Sequence, residues 1–145
     1  MTGRMLDTRE DKLAALRAAR VIAVVGLQDN PARPAYGVAR FLKTRGLRII
    51  PVHPAGGTVL GEPVVRSLAE LPVRADVVDV FRNPAHALEV VEEVLRLPET
   101  LRPSVIWLQD GVINPEAAQR AVSAGYAVVM DDCTARVSSA LPPVA

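Results

Sequence analysis

Five short apolar runs rich in Val and Ile punctuate this 145-residue chain, at positions 21–25, 47–52, 77–81, 105–108 and 127–130. A strand with one wet face alternates apolar and polar residues. Continuous β-branched runs instead predict strands buried on both faces. Between the runs the period becomes helical. Val38, Phe41, Leu42 and Arg45 share one stripe, Leu88, Val91, Val94 and Leu95 a second, and Ala117, Ala118, Ala121 and Val122 a third. Spacings of i, i+3 and i+4 give each helix one face to bury. A lead-in helix over residues 8–19 carries Leu13 and Leu16. Strands alternating with helices specify an α/β fold with helices on both faces of the sheet. The expectation is a Rossmann-like, doubly wound, mainly parallel sheet of five or six strands, in one domain spanning residues 1–145.

Proline and glycine mark the boundaries. Asn83-Pro84 and Asn114-Pro115 each read as an N-cap followed by proline at the first helical position, and Pro34 opens the first crossover helix in the same way. Gly46 and Gly125 stand where a left-handed C-cap is wanted. Two segments fit less well. Residues 55–75 read as a loop with a minor strand at 58–60 and a turn of helix near 67–71. Pro51 sits inside the second strand, so that strand is an edge or is bulged there. The tail, 135–145, carries little signal and reads as loosely packed.

Charge and composition narrow the function. The formal net charge is +1 and only 3% of residues are aromatic. A nucleic-acid binder usually carries a basic surplus, and single-strand platforms need stacking aromatics, so neither is expected. Apolar runs of about five residues fall far short of the ~20 that a membrane-spanning helix needs. Cys133 is the single cysteine, which excludes an internal disulfide and a cysteine-rich zinc site. With a charged N-terminal stretch that lacks an apolar signal core, this predicts a cytoplasmic protein.

In open α/β sheets the ligand lies beyond the carboxyl ends of the strands, at the switch point in strand order. The loop after the first run reads G-L-Q-D-N-P-A-R-P-A-Y-G, residues 26–37. Gly26 would admit a close backbone approach by a ligand. The helix start would offer N–H groups to a phosphate, and Arg33 a charge-assisted contact. GxGxxG is absent, and the second run ends in Val52-His53-Pro54 without a ribose-binding acid. Both absences lower the odds of NAD. Catalytic patterns are thin: no HExxH and no G-x-S-x-G. His86 reads as solvent-facing, Cys133 as a small buried hydrophobe, Trp107 as core, and both Asp131-Asp132 and the charges Arg9 to Lys12 as solvated.

The segments VVGLQDNPARPAYGVARFL, IIPVHP, LGEPVVRSL, DVVDVFRNP, VIWLQDGVIN and AGYAVVMDDC, in this order, resemble the small stand-alone CoA-binding proteins. Their fold is similar to the N-terminal CoA-binding domain of the succinyl-CoA synthetase α subunit. The resemblance covers about residues 10–134. It implies a coenzyme A site in which Gly26, Leu27, Asn30 and Arg33, with Tyr36 and Gly37 at the helix start, cradle the phosphates. Val52, His53 and Pro54 would flank the adenosine. Phe81, Arg82, Gln109, Gly111 and Val112 would line the route to the pantetheine arm. Gln28 and Ala35 stand where the family often has serine, and Asp132 where it often has a basic residue.

The leading expectation is non-catalytic binding of CoA or an acyl-CoA, with no metal. An NAD(P)-binding sensor or oxidoreductase on the same fold is the first alternative, and a scaffold that has lost its ligand the second. Nothing in the sequence selects or excludes a protein partner or a homo-oligomer. If Cys133 lies in the crevice, it could form a mixed disulfide with the CoA thiol.

Overall fold

The computed structural model describes residues 3–144. Its centre is a six-stranded sheet, parallel at every pairing. The strands are β1 (Arg4–Met5), β2 (Val21–Val25), β3 (Arg48–Val52), β6 (Val77–Val80), β7 (Val105–Leu108) and β8 (Ala127–Met130), in the order β1-β8-β7-β6-β2-β3. Two further strands, β4 (Thr58–Val59) and β5 (Glu62–Pro63), form a small antiparallel hairpin outside the main sheet.

The five expected runs are all main-sheet strands. The sixth is β1, which no hydrophobic pattern announces. It is two residues long and is held by backbone pairing, Arg4 N–H to the Tyr126 carbonyl and Leu6 N–H to that of Val128. The predicted minor strand at 58–60 exists, but it pairs with β5. Pro51 lies on the edge strand, as one of the two expected explanations required. Its carbonyl points outward and accepts from Val65 N–H. Its missing N–H lies on that same outer side, so the ladder to β2 loses nothing.

Helices cover both faces. On one side α3 (Ala87–Leu95) and α4 (Pro115–Ser123) pack on Ala23, Val25, Val78, Val80, Ile106 and Leu108. On the other, α1 (Arg9–Ala18), α2 (Pro34–Thr44) and α5 (Thr134–Ser138) cover Ile22, Val24, Ile49, Val77, Trp107 and Val129. The caps are as expected. Asn114 Oδ1 accepts from Ala117 N–H and Asn83 Oδ1 from Ala85 N–H, each followed by proline. Pro34 opens α2, and Gly46 closes it at φ +92°.

The tail corrects the expectation of loose packing. Thr134, Val137 and Ser138 of α5 are buried, Leu141 and Val144 pack on the same core, and Val144 N–H donates to the Arg45 carbonyl at 2.7 Å. A five-residue helix with two hydroxyls and an arginine has no legible period. It is fixed by what it covers. Residue 145, the last of the predicted tail, lies outside the described residues. Among the described residues, no helix is long and apolar enough to cross a membrane.

Candidate functional site

The order β1-β8-β7-β6-β2-β3 puts the switch point between β2 and β6. The chain leaves β2 toward β3 on one side and returns to β6 on the other, so the loops after β2 and β6 part there. An open cleft of about 680 Å³ lies at this place, within the usual range for small-molecule sites. The loop after β2 contributes Gly26, Gln28 and Arg33. The loops after β3, β6 and β7 contribute His53, then Phe81, Arg82 and Asn83, then Gln109, Asp110 and Val112. Cys133 closes one end.

Of the residues implied by resemblance, the cleft brings together Gly26, Arg33, His53, Phe81, Arg82, Gln109 and Val112. The others do not stand on its wall. Leu27 and Val52 are core residues, pulled under the sheet by their own burial. Tyr36 packs against the α1–α2–α5 core, and Gly37 faces Phe41 and Ala135 on the far side of α2. Asn30, Pro54 and Gly111 are exposed around it. Asn30 caps its own turn, its Oδ1 accepting from Ala32 N–H. A helical residue shares a face with its i+3 and i+4 neighbours, not with its sequence neighbour. That is why Ala35 and Val38 reach the cleft where Tyr36 and Gly37 do not.

Gly26 lines the cleft and also meets a constraint from within the fold. It has φ +94°, and a Cβ there would lie 2.1 Å from the Phe81 carbonyl oxygen. The group that approaches this glycine is the end of β6, so Gly26 joins the two loops that part at the switch point.

The electrostatics are uneven. Arg33 and Arg82 both line the cleft, and neither is ion-paired among the described residues. No side chain caps the N-terminus of α2, whereas Thr8 caps α1 and Asn114 caps α4. Positive charge and a helix dipole therefore meet at the β2–α2 end. At the opposite end the acids are neutralised. Arg136 holds Asp110 with two bonds, at 2.9 and 2.8 Å, and Asp132 with a third at 2.7 Å. Lys12 Nζ reaches Asp132 Oδ2 at 2.9 Å. Burial pushes the Asp132 carboxyl up, but bonds from Lys12, the Cys133 N–H and Arg136 outweigh it and leave it below the usual carboxylate range. The Arg136 bonds likewise hold Asp110 low.

Asp132 and Lys12 correct the expectation of solvated charges, since both side chains are only 17% exposed. They pair across 120 positions of sequence, which no local pattern announces. Asp131 and Asp132 diverge as expected of neighbours. Asp131 turns back at φ +61° to accept from Gly111 N–H. His86 is exposed but stands at the cleft rim. Cys133 is buried, as expected, and also lines the cleft. Trp107 is wholly buried, its indole N–H donating to the Asp132 carbonyl.

Two polar arrangements escaped the sequence reading. Gln28 Nε2 lies 2.6 Å from His53 Nε2, a contact between two nitrogens that an amide flip turns into N–H to oxygen, and Ala55 N–H donates to His53 Nδ1. A ring accepting at Nδ1 carries its proton on Nε2, so the Gln28 carbonyl oxygen is the partner that satisfies it. The imidazole is thus held in place at both ring nitrogens. The second is Asp79, fully buried in the middle of β6, with Thr134 and Gln109 beside it. An acid inside a run otherwise buried on both faces was the available signal.

Fold and switch-point cleft together define a Rossmann-like α/β protein with two arginines, unpaired among the described residues, on the wall of its cleft. Residues 20–138 match the CoA binding domain family, and the chain belongs to it. It is 41% identical over 118 residues to the uncharacterized protein YneT of Bacillus subtilis (strain 168), covering 81% of this chain and 84% of that one. Among solved structures it is similar to cell-free ID.343 from Thermus thermophilus (TM-score 0.84, 37% identity, 93% of this chain and 99% of that one). It is also similar to a hypothetical protein from Pyrococcus horikoshii OT3 (TM-score 0.86, 31% identity, 95% and 96%).

Proposed function

We propose that this protein binds coenzyme A or an acyl-CoA in the switch-point cleft and has no catalytic activity of its own. The observation that carries this reading is the pairing of Arg33 and Arg82 beside the uncapped start of α2, at the point where the CoA-binding domain fold opens. Two guanidiniums without carboxylate partners suit a pyrophosphate or ribose phosphate. Phe81, Val38 and Val112 supply apolar wall beyond them for the pantetheine arm. His53 has both ring nitrogens engaged, by Gln28 and by Ala55 N–H, which suits a wall residue better than a general base.

Thermal denaturation with and without ligand tests the reading. CoA at ~100 times its Kd should add ~2.7 kcal/mol and raise the Tm by about 5–10 °C. Arg82→Ala should weaken CoA about tenfold, the loss expected for a charge-assisted bond to phosphate. A rise with NAD and none with CoA or acetyl-CoA would establish the dinucleotide reading instead. No rise with any of them would leave a scaffold without a ligand.

Cys133 adds a narrower expectation. Cys133 lines the cleft, so in this reading its thiol would face the arm that ends in the CoA thiol. Incubation with CoA disulfide should attach one CoA through thiolate–disulfide exchange, releasing one CoA thiol. Intact-mass measurement should show a gain equal to CoA that a reductant reverses. An unchanged mass would place the thiol out of reach.

A further inference from the structure

Thr134 Oγ1 lies 2.8 Å from Asp79 Oδ2 and 3.0 Å from Gln109 Oε1, and the backbone N–H of Thr134 donates to that same Oε1 at 2.9 Å. A backbone N–H can only donate, so the Gln109 amide has one orientation: oxygen inward, Nε2 outward. Gln109 is 2% exposed and lines the cleft, and its Nε2 has no hydrogen-bond partner among the described residues. Gln109 Nε2 is not among the buried unpartnered atoms of the described residues, which are Asp79 Oδ1 and the Tyr126 hydroxyl, so its hydrogens open to the cleft on a side chain that is otherwise buried and held.

The hydroxyl of Thr134 has one proton and two oxygen neighbours. An ionised Asp79 would compete with Gln109 for it. A neutral Asp79 gives the chain a direction: Asp79 Oδ2–H donates to Thr134 Oγ1, and Thr134 Oγ1–H donates to Gln109 Oε1. The unpartnered, buried Asp79 Oδ1 agrees, since a carboxylate with one hydrogen bond and no counter-charge is costly there.

We propose that Asp79 and Thr134 are positioning residues that hold Gln109 with its Nε2 hydrogens presented to a carbonyl oxygen of the ligand, so that the wall at Gln109 takes the amide- and thioester-bearing arm of CoA while the arginines take its phosphates. The inference rests on the CoA reading above. Asp79 is not a ligand contact; it acts through Thr134 on Gln109.

Its surroundings isolate the proton. The strand partners of Asp79 are Val24 and Trp107. On the helices over this face, Lys12 and Arg136 are bound to Asp132 and Asp110. Burial is the main influence on Asp79, opposed by its Thr134 hydrogen bond, and no charged side chain contributes.

Calorimetric titration with CoA and with adenosine 3′,5′-bisphosphate, which lacks the arm, tests the ligand half. Gln109→Leu should weaken CoA about fivefold to tenfold, the loss of about one hydrogen bond, and leave the bisphosphate within about twofold. Equal losses on both probes, or on neither, would overturn the proposal. The positioning half is read without ligand, from the Gln109 side-chain amide signals in a ¹⁵N-labelled sample titrated through pH 8, where burial places Asp79. They should move in the wild type. They should stay fixed in Asp79→Asn, whose Nδ2 replaces the donor, and in Thr134→Val, which cuts the chain. His53, His86 and Cys133 are unchanged in both variants, so movement that survives in them sinks the assignment. If the wild type binds no CoA, the function reading and the ligand half fall together, and the ligand-free amide titration decides the rest.

Discussion

Gly26→Ala should lower the Tm by roughly 6–18 °C, a loss of about 2–6 kcal/mol at this chain length. Two costs add. Holding a non-glycine residue at φ +94° strains the backbone by ~1–3 kcal/mol. Placing a methyl 2.1 Å from the Phe81 carbonyl oxygen then forces the ends of β2 and β6 apart, an overpacking cost of ~1–3 kcal/mol. The obstacle is backbone on a central strand and cannot swing aside. Gly37→Ala is the control. A Cβ at Gly37 meets nothing within 4 Å, and the residue sits in α2 without a positive φ. That substitution should stabilise by ~0.5–1 kcal/mol. Thermal and urea denaturation of the three proteins decide it. A Gly26→Ala variant within 2 °C of the wild type would show that the turn relaxes freely. Because the expected loss is structural, a failure of Gly26 variants to bind CoA would say nothing about the cleft. For that reason the ligand is tested through Arg82.

The same glycine shows where sequence reading succeeds and where it stops. The need for a glycine after β2 is legible, because a strand must turn there into a helix opened by Pro34. What approaches it is not, because Phe81 lies 55 positions away in sequence and meets it only once β2 and β6 pair. The main strands and long helices were legible because burial on two faces, or on one stripe, leaves a local period. β1 and α5 leave none. β1 is held by backbone bonds to β8, which any residue can make. α5 is held by its buried contacts and by Arg136, whose partners come from the β7 and β8 loops. The ionic link of Lys12 to Asp132 is invisible for the same reason: charge pairs at long separation follow from the fold.

At the site, half of the residues implied by the resemblance line the cleft and the other half stand off its wall. Order of loops is a sequence property, and it transfers. Which side chain of a loop turns inward depends on helix phase, and that placed Ala35 and Val38 on the wall in place of Tyr36 and Gly37. Asp79 was legible and passed over. An acid within 77–81, a run expected to be buried on both faces, breaks a local rule. Such breaks are where functional or strained groups concentrate.

Asp79 also sets the largest pH effect. Burial raises its pKa from 3.8 to about 8, against a smaller lowering by the Thr134 bond. Between those values the folded protein keeps a proton that the unfolded chain has released. The unfolded state then binds fewer protons, so the free energy of unfolding falls as pH rises. The slope is about 1.4 kcal/mol per pH unit, and the total loss across the window is up to about 6 kcal/mol. Below pH 4 both states hold the proton, and above pH 8 both have lost it, so the curve is flat at either end. Asp79→Asn removes this linkage while keeping a donor toward Thr134. Relative to the wild type, the variant should therefore gain stability steadily from about pH 4 to pH 8 and level beyond it. Urea denaturation of both proteins at five pH values measures the difference directly. A difference that stays constant across the window would mean that Asp79 is ionised in the folded state, with water or a cation reaching Oδ1. Asparagine would serve the packing of β6 without the pH penalty.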